Sequence, residues 1–145
     1  LGKEAKATAK LAHARHEGNV SCHGCHSQGE YQNCYNCHIE KGSTSRLGFI
    51  LGVNPDDKKT LTTLRAIPVA RETFLSTGIK MENFDEAPDY RATSVHNIQK
   101  RTERTRSCDT CHIQRKSFLS KGALMKNGSK ANETLIFRMR PLNIQ

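Results

Sequence analysis

The chain has 145 residues and a polypeptide mass of 16.2 kDa, and its 23 Lys and Arg outweigh 14 Asp and Glu to give a net charge of +9. Hydrophobic residues make up 35% and tryptophan is absent, so a chain this polar would struggle to close a core with side chains alone. Its longest apolar run, Leu47 to Val53, is broken by glycine and falls far short of the ~20 residues needed to cross a bilayer.

The first predicted element is a helix. Residues 3–17, "KEAKATAKLAHARHE", are rich in Ala, Lys and Glu, and Gly18 follows as a C-terminal stop. His13 and His16 stand three apart and therefore project from one face of it.

Residues 18–46 read as turns punctuated by Gly24, Gly29 and Gly42. Within them lies "SCHGCHSQGEYQNCYNCH", residues 21–38. It reads Cys22-His23-Gly24-Cys25-His26 and then Cys34-Tyr35-Asn36-Cys37-His38. The remaining cysteines repeat the pattern as Cys108-Asp109-Thr110-Cys111-His112. All six cysteines thus belong to C-x-x-C-H units. This unit is the attachment signature of c-type haem. The two sulfurs form thioethers to the porphyrin vinyl groups, and the adjacent histidine becomes the proximal iron ligand. Both sulfurs and the imidazole must meet one rigid macrocycle from a single short turn, which accounts for the tight spacing.

Three rivals explain less. Three disulfides do not require a histidine after each pair. Three such histidines by chance are on the order of one in 10⁵ at ordinary usage. A zinc site of Cys22, Cys25, Cys34 and Cys37 leaves Cys108 and Cys111 unused and gives the histidines no role. Thioredoxin-like chemistry needs one C-x-x-C near a βαβ pattern, not three.

Residues 39–107 hold no attachment motif. "TLTTLRAIPVARETF" (60–74) has β-favouring residues interrupted by Pro68 and predicts an edge strand or hairpin. "NFDEAPDY" (83–90) reads as a loop, and residues 91–106 as a helix running to the third motif. The tail "ETLIFRMRPL" (133–142) reads as an extended packing arm. The expected fold is mainly α and irregular with little β, a single domain over 1–145 wrapped around three haems.

Each haem iron needs a second ligand. Setting aside His26, His38 and His112 leaves His13, His16, His23 and His96, one more than three haems require. His13, His16 and His96 are the favoured distal ligands. His23 lies between two thioether cysteines and is the doubtful one. Met81, Met125 and Met139 are alternatives that would raise the potential, though methionines more often fill core gaps.

The segment "HARHEGNVSCHGCH" resembles the opening of small low-potential tetrahaem cytochromes, in which two histidines serve two different haems. More widely, "RHEGNVSCHGCHSQGEYQNCYNCH", "RAIPVARETF", "APDYRATSVHNIQKRT" and "SCDTCH" are similar to the C-terminal part of large octahaem tetrathionate-reductase-like bacterial cytochromes. That resemblance implies that His96 is an axial ligand and that the chain is a fragment or subunit of a longer multihaem protein. A lysine-containing attachment motif, found in some nitrite-reducing relatives, is missing, so activity does not carry across.

The expected function is electron transfer through bis-histidine haems, without enzymatic activity. A reductase of a small oxyanion or nitrogen compound would need an open iron position, and a unit of a haem-lined conducting filament would need a ligand from a neighbour. Three haems bring the charge to roughly +6 oxidised and +3 reduced. A basic surface suits acidic redox proteins or other multihaem subunits, and self-association into a larger complex fits the same pattern. Lys100, Arg101, Arg104, Arg106, Arg115 and Lys116 read as solvated or propionate-pairing bases, since no nucleic-acid module is present. Haem attachment to C-x-x-C-H follows export, which places the mature chain in the periplasm or outside the cell, its leader removed.

Intact mass under denaturing conditions should exceed 16.2 kDa. Three thioether-bound haems would add about 1.8 kDa in all. A denatured mass equal to that of the bare chain would rule out the attachment reading.

Overall fold

The structure, a computed structural model, describes residues 3–27, 49–67, 69–95 and 98–138. The Cys34–His38 motif, His96, Met139 and the end of the tail lie outside the described residues.

Helix α1 spans Lys3–His16, as the Ala, Lys and Glu content predicts. His13, Arg15 and His16 occupy its last turn, where positive charge suits the negative end of the helix dipole. Gly18 then adopts a left-handed φ of 75°, a conformation open to glycine. The turn lets the N–H groups of Asn19 and Val20 both donate to the His16 carbonyl at 3.0 Å. From Ala7 to Arg15 every residue is exposed. Over Ala7–Arg15 the helix shows no buried apolar stripe to hold it to the body.

The body is a three-stranded antiparallel sheet in the order β1 (Ile50–Val53), β2 (Leu61–Ala66), β3 (Tyr90–Ala92). Ile50 and Ala92 both oppose Leu64, from the two sides of β2. Of the expected edge strand or hairpin at 60–74, the hairpin is found, β2 pairing antiparallel with β1, while the edge is corrected: β2 is the central strand, and it stops at Ala66. Tyr90 is the cause. Only 2% exposed, it anchors β3 against the side of β2 that a simple hairpin would leave open. β2 is buried at every position but Arg65, so it reads as a run rather than an alternation.

Leu64, Ala66, Tyr90, Leu119 and Leu135 form the core. Gly52 lets the sheet approach the short 3-10 helix Lys130–Leu135. A Cβ there would stand 2.8 Å from the Leu135 carbonyl oxygen and collide with Leu64. Beneath it Asp89 is buried, its N–H donating to Asn132 Oδ1 at 3.0 Å and its Oδ2 accepting from the Ser129 N–H at 2.9 Å.

Two other expectations are corrected. Residues 91–106 do not form one helix. Thr93 is extended against β2, its N–H donating to the Thr63 carbonyl at 3.0 Å, and helix α3 covers only Glu103–Arg106. Thr102 starts α3 through a reciprocal capping pair with Thr105. The β-branched Thr93 and Val95 favour the strand geometry that Tyr90 sets. In the tail, residues 133–135 belong to the 3-10 helix rather than an extended arm. The 83–90 loop holds one 3-10 turn, Phe84–Glu86. Few helices, a small sheet and much irregular chain match the expected fold class.

The β1–β2 connection is organised by Asp57. Its Oδ1 accepts from the N–H groups of Lys59 and Thr60 at 2.8 and 2.9 Å. Thr60's side chain first, then these N–H groups, hold its pKa down at about 2, from an ordinary 3.8. A depressed carboxylate pKa adds stability that is present above the unfolded value and lost as pH falls through the folded one. The stability advantage of the parent over Asp57→Ala should therefore be flat above about pH 4 and shrink toward pH 2, measured by chemical denaturation at stepped pH. A difference that stays constant to pH 2 would remove Asp57 from that role.

Candidate functional site

The first motif is carried by helix α2, Cys22–His26. Ser21 caps it, accepting from the Gly24 N–H at 3.3 Å. The same hydroxyl meets Thr62 Oγ1 at 2.9 Å, and the Ser21 N–H donates to the Leu61 carbonyl at 2.7 Å. The motif is thereby fastened to the central strand. Gly24 allows the close seat. A Cβ at that position would lie 2.7 Å from Val20 Cγ1 and 3.7 Å from Leu51 Cδ2.

The third motif follows α3. The N–H groups of Cys111 and His112 both donate to the Cys108 carbonyl, at 3.2 and 2.9 Å, winding Thr110–Gln114 into a single wide turn. Arg115, at a φ of 54°, ends it. The chain then pairs with the outer edge of β1: the Leu51 N–H donates to the Ser117 carbonyl and the Leu119 N–H to the Leu51 carbonyl, both at 2.8 Å. One hairpin thus seats both motifs. They are also bridged by the start of α3, since the Thr102 hydroxyl donates to the Cys25 carbonyl and the Thr110 hydroxyl to the Glu103 carbonyl.

Cys22 and Cys108 are exposed and Cys25 and Cys111 half-buried, all four as free thiols. Burial pushes the Cys25 and Cys111 thiols up. Arg104 pulls both partly back down.

The histidines form two couples. His13 stacks on His26 with ring centroids 6.0 Å apart and planes 21° apart. His16 meets His112 at the same 6.0 Å, with planes at 63°. Ring pairs in contact span about 4.5–7 Å between centroids, so the distance by itself marks only proximity. Two metal–imidazole bonds of about 2 Å each, with two ring half-widths of about 1 Å each, span about 6 Å. The spacing therefore fits one metal ion between each couple.

The other ring nitrogens agree. His13 Nδ1 lies 2.7 Å from the Ala9 carbonyl, and His16 Nδ1 2.7 Å from the Ala12 carbonyl. His26 Nδ1 lies 2.9 Å from the Gln99 carbonyl. A carbonyl only accepts, so each Nδ1 carries the hydrogen and each Nε2 keeps its lone pair. Ligating histidines are held this way, their second nitrogen donating to a fixed acceptor. His112 Nδ1 is buried without a partner among the described residues. The donor set, a soft sulfur pair beside each proximal imidazole and a second imidazole across from it, fits a covalently bound haem.

Of the residues singled out in the sequence, the structure brings together Cys22, Cys25, His26 and His13, and separately Cys108, Cys111, His112 and His16. Cys34, Cys37, His38 and His96 fall outside the described residues. His23 joins neither couple, and its Nδ1 is buried without a partner among the described residues. Met125 packs against the core. Sequence reasoning missed Gln99, Thr102 and Arg104. Gln99 acts through its backbone carbonyl and Thr102 through a hydroxyl whose partner, Cys25, is far away in sequence, so neither role shows in the local pattern. Arg104 was grouped with the solvated bases of its segment.

The sequence model of the class III cytochrome c family matches residues 1–60. The matched stretch holds α1 with both its histidines, the Cys22 motif and the Cys34 motif. No curated protein and no solved structure matches the chain. The family match supports a multihaem c-type cytochrome, a protein class that transfers electrons through c-type haem.

The two couples make separable predictions. His13→Ala and His16→Ala should each leave every haem attached, because attachment depends on the cysteines, and each should turn one haem high-spin. The haem so altered should sit on the Cys22–His26 peptide for His13→Ala and on the Cys108–His112 peptide for His16→Ala, as resolved by NMR of the paramagnetic shifts. The same haem altered in both variants would contradict the couples.

Proposed function

We propose that the chain carries electrons through three covalently attached c-type haems, each held between two histidines, and performs no catalysis of its own. The observation that carries this reading is the pair of imidazole couples, both with ring centroids 6.0 Å apart. Cys22 and Cys25 would hold the first haem, Cys34 and Cys37 the second, and Cys108 and Cys111 the third. The ligand couples would be His26 with His13, His38 with His96, and His112 with His16. His96 enters through the likeness of "SVHNIQ" to octahaem cytochromes, and the same likeness supports a chain that belongs to a larger multihaem protein. When bound, the haems supply one-electron iron couples whose potential the axial ligands set.

The chain's own residues do the rest. The carbonyls of Ala9, Ala12 and Gln99 hold three imidazoles by their Nδ1–H groups, which fixes ring orientation and makes Nε2 a better donor. With haem bound, two histidines would hold each iron, which would leave no open position for a substrate. Because α1 supplies both distal histidines from adjacent turns, the first and third haems would lie side by side, as electron passage between them needs. Ile98 and Ile113, 59% and 70% exposed, offer apolar surface beside the ligands for a porphyrin to cover. Lys100, Arg101, Arg106, Arg115 and Lys116 remain exposed. They suit an acidic redox partner or another multihaem subunit, met by electrostatic steering. No helix among the described residues is long and apolar enough to cross a membrane. The reading places the protein in the periplasm or outside the cell.

A redox titration should show three haems reducing below the standard hydrogen potential, over a broad range because neighbouring charged sites couple. Carbon monoxide, which needs an open axial position, should bind little to the reduced protein. Stoichiometric binding to one haem with turnover of an added oxyanion would replace the carrier reading by a reductase.

A further inference from the structure

Arg104 sits where the two described attachment turns meet. Its helix, α3, packs on α2 and on the Thr110–Gln114 turn. Its Nη1 donates to the carbonyl of Gly24, inside the first motif, at 3.2 Å, and its Nη2 to the Phe49 carbonyl at 3.4 Å. Both acceptors are neutral. The ion pairs among the described residues are Arg71–Asp85, Lys121–Glu133 and Lys130–Asp85, and none includes Arg104. Its neighbour Glu103 is exposed. Burial lowers the Arg104 pKa, yet a guanidinium stays charged at neutral pH.

A half-buried cation whose hydrogen bonds go to two carbonyls, with the exposed Glu103 carboxylate acting on it only at a distance, is costly. Packing alone would be met by a neutral side chain of similar length. Its neighbours Lys100, Arg101 and Arg106 are exposed, so solvation explains their charge but not this one.

We propose that Arg104 is a positioning residue for the redox chemistry, a fixed positive charge at the seam between the Cys22–His26 and Cys108–His112 turns that raises the reduction potentials of the two haems bound there. The proposal rests on the three-haem reading above. A fixed cation favours whichever state of its surroundings holds one more electron. It acts more strongly where burial weakens solvent and salt screening. The hydrogen bond to Gly24 fixes the charge against the first turn, and the packing of α3 on the other turn keeps it near the second, so both potentials should move.

The test compares Arg104→Gln with Arg104→Lys in the haem-loaded protein. Both side chains still donate to a carbonyl, and only the second keeps the charge. Haem-resolved potentiometry should show the potentials of the haems on the Cys22–His26 and Cys108–His112 peptides lowered in Arg104→Gln by on the order of a tenfold change in the reduction equilibrium, about 59 mV for one electron. Arg104→Lys should stay near the parent, and both variants should keep low-spin spectra. An unshifted Arg104→Gln, equal shifts in both variants, or loss of haem from either would overturn the proposal and leave Arg104 a packing residue. The parent's mass and spin state check the underlying reading separately: fewer than three haems, or a high-spin haem in the parent, would strike that reading and not the role of Arg104.

Discussion

Two imidazoles set three residues apart on one helix constrain the rest of the site. An α-helix places such residues on one face within about 5–6 Å at Cβ, so whatever His13 and His16 address must also lie close together. The protein meets that demand by bringing two distant turns, at residues 22–26 and 110–114, against one another. Several features of the described chain serve that juxtaposition. The hairpin of β1 and β2 receives the first turn through Ser21 and Thr62, and the segment after the third through Leu51 and its partners at 117–119. α3 closes the gap between them through Thr102 and Arg104.

The sheet is correspondingly small and its core modest. Five residues make up the main cluster, and they lie on the side toward the 3-10 helix Lys130–Leu135. α1 stays on the opposite logic: polar, exposed and without an apolar face of its own. Its position is set by what its histidines face rather than by what its surface buries. That division explains how a chain with 35% hydrophobic residues reaches a defined fold. Side-chain packing stabilises the sheet, and ligation would secure the rest.

The chemistry was legible in the sequence where it is local. C-x-x-C-H is a contiguous pattern, and so is the helix of residues 3–16 with its glycine stop. The class of fold followed from the same polarity and turn content. What escaped was set by distant partners. β2 became a central strand because Tyr90 brought a third strand to it, and no pattern within 60–74 announces that. The helix expected at 91–106 gave way for the same reason, since Thr93 and Val95 obey the strand beside them rather than the charges that follow. Which histidine meets which motif was open in the sequence, because His13 and His16 are equivalent in spacing. The structure separates them through the tertiary positions of His26 and His112. Gln99 and Thr102 act through carbonyls and caps, which composition does not reveal.

The two couples differ greatly in chain separation. His13 and His26 are thirteen residues apart, and His16 and His112 ninety-six. On loop-closure entropy alone the longer connection costs about 1.8 kcal/mol more. Under the proposed ligation the near couple would therefore be the cheaper one to close. With His13 held on its partner, α1 would present His16 at a defined place to a turn made much later in the chain. Exchanging His13 and His16 between their partners would then require α1 to rotate or slide, so the near closure would also favour the correct far one.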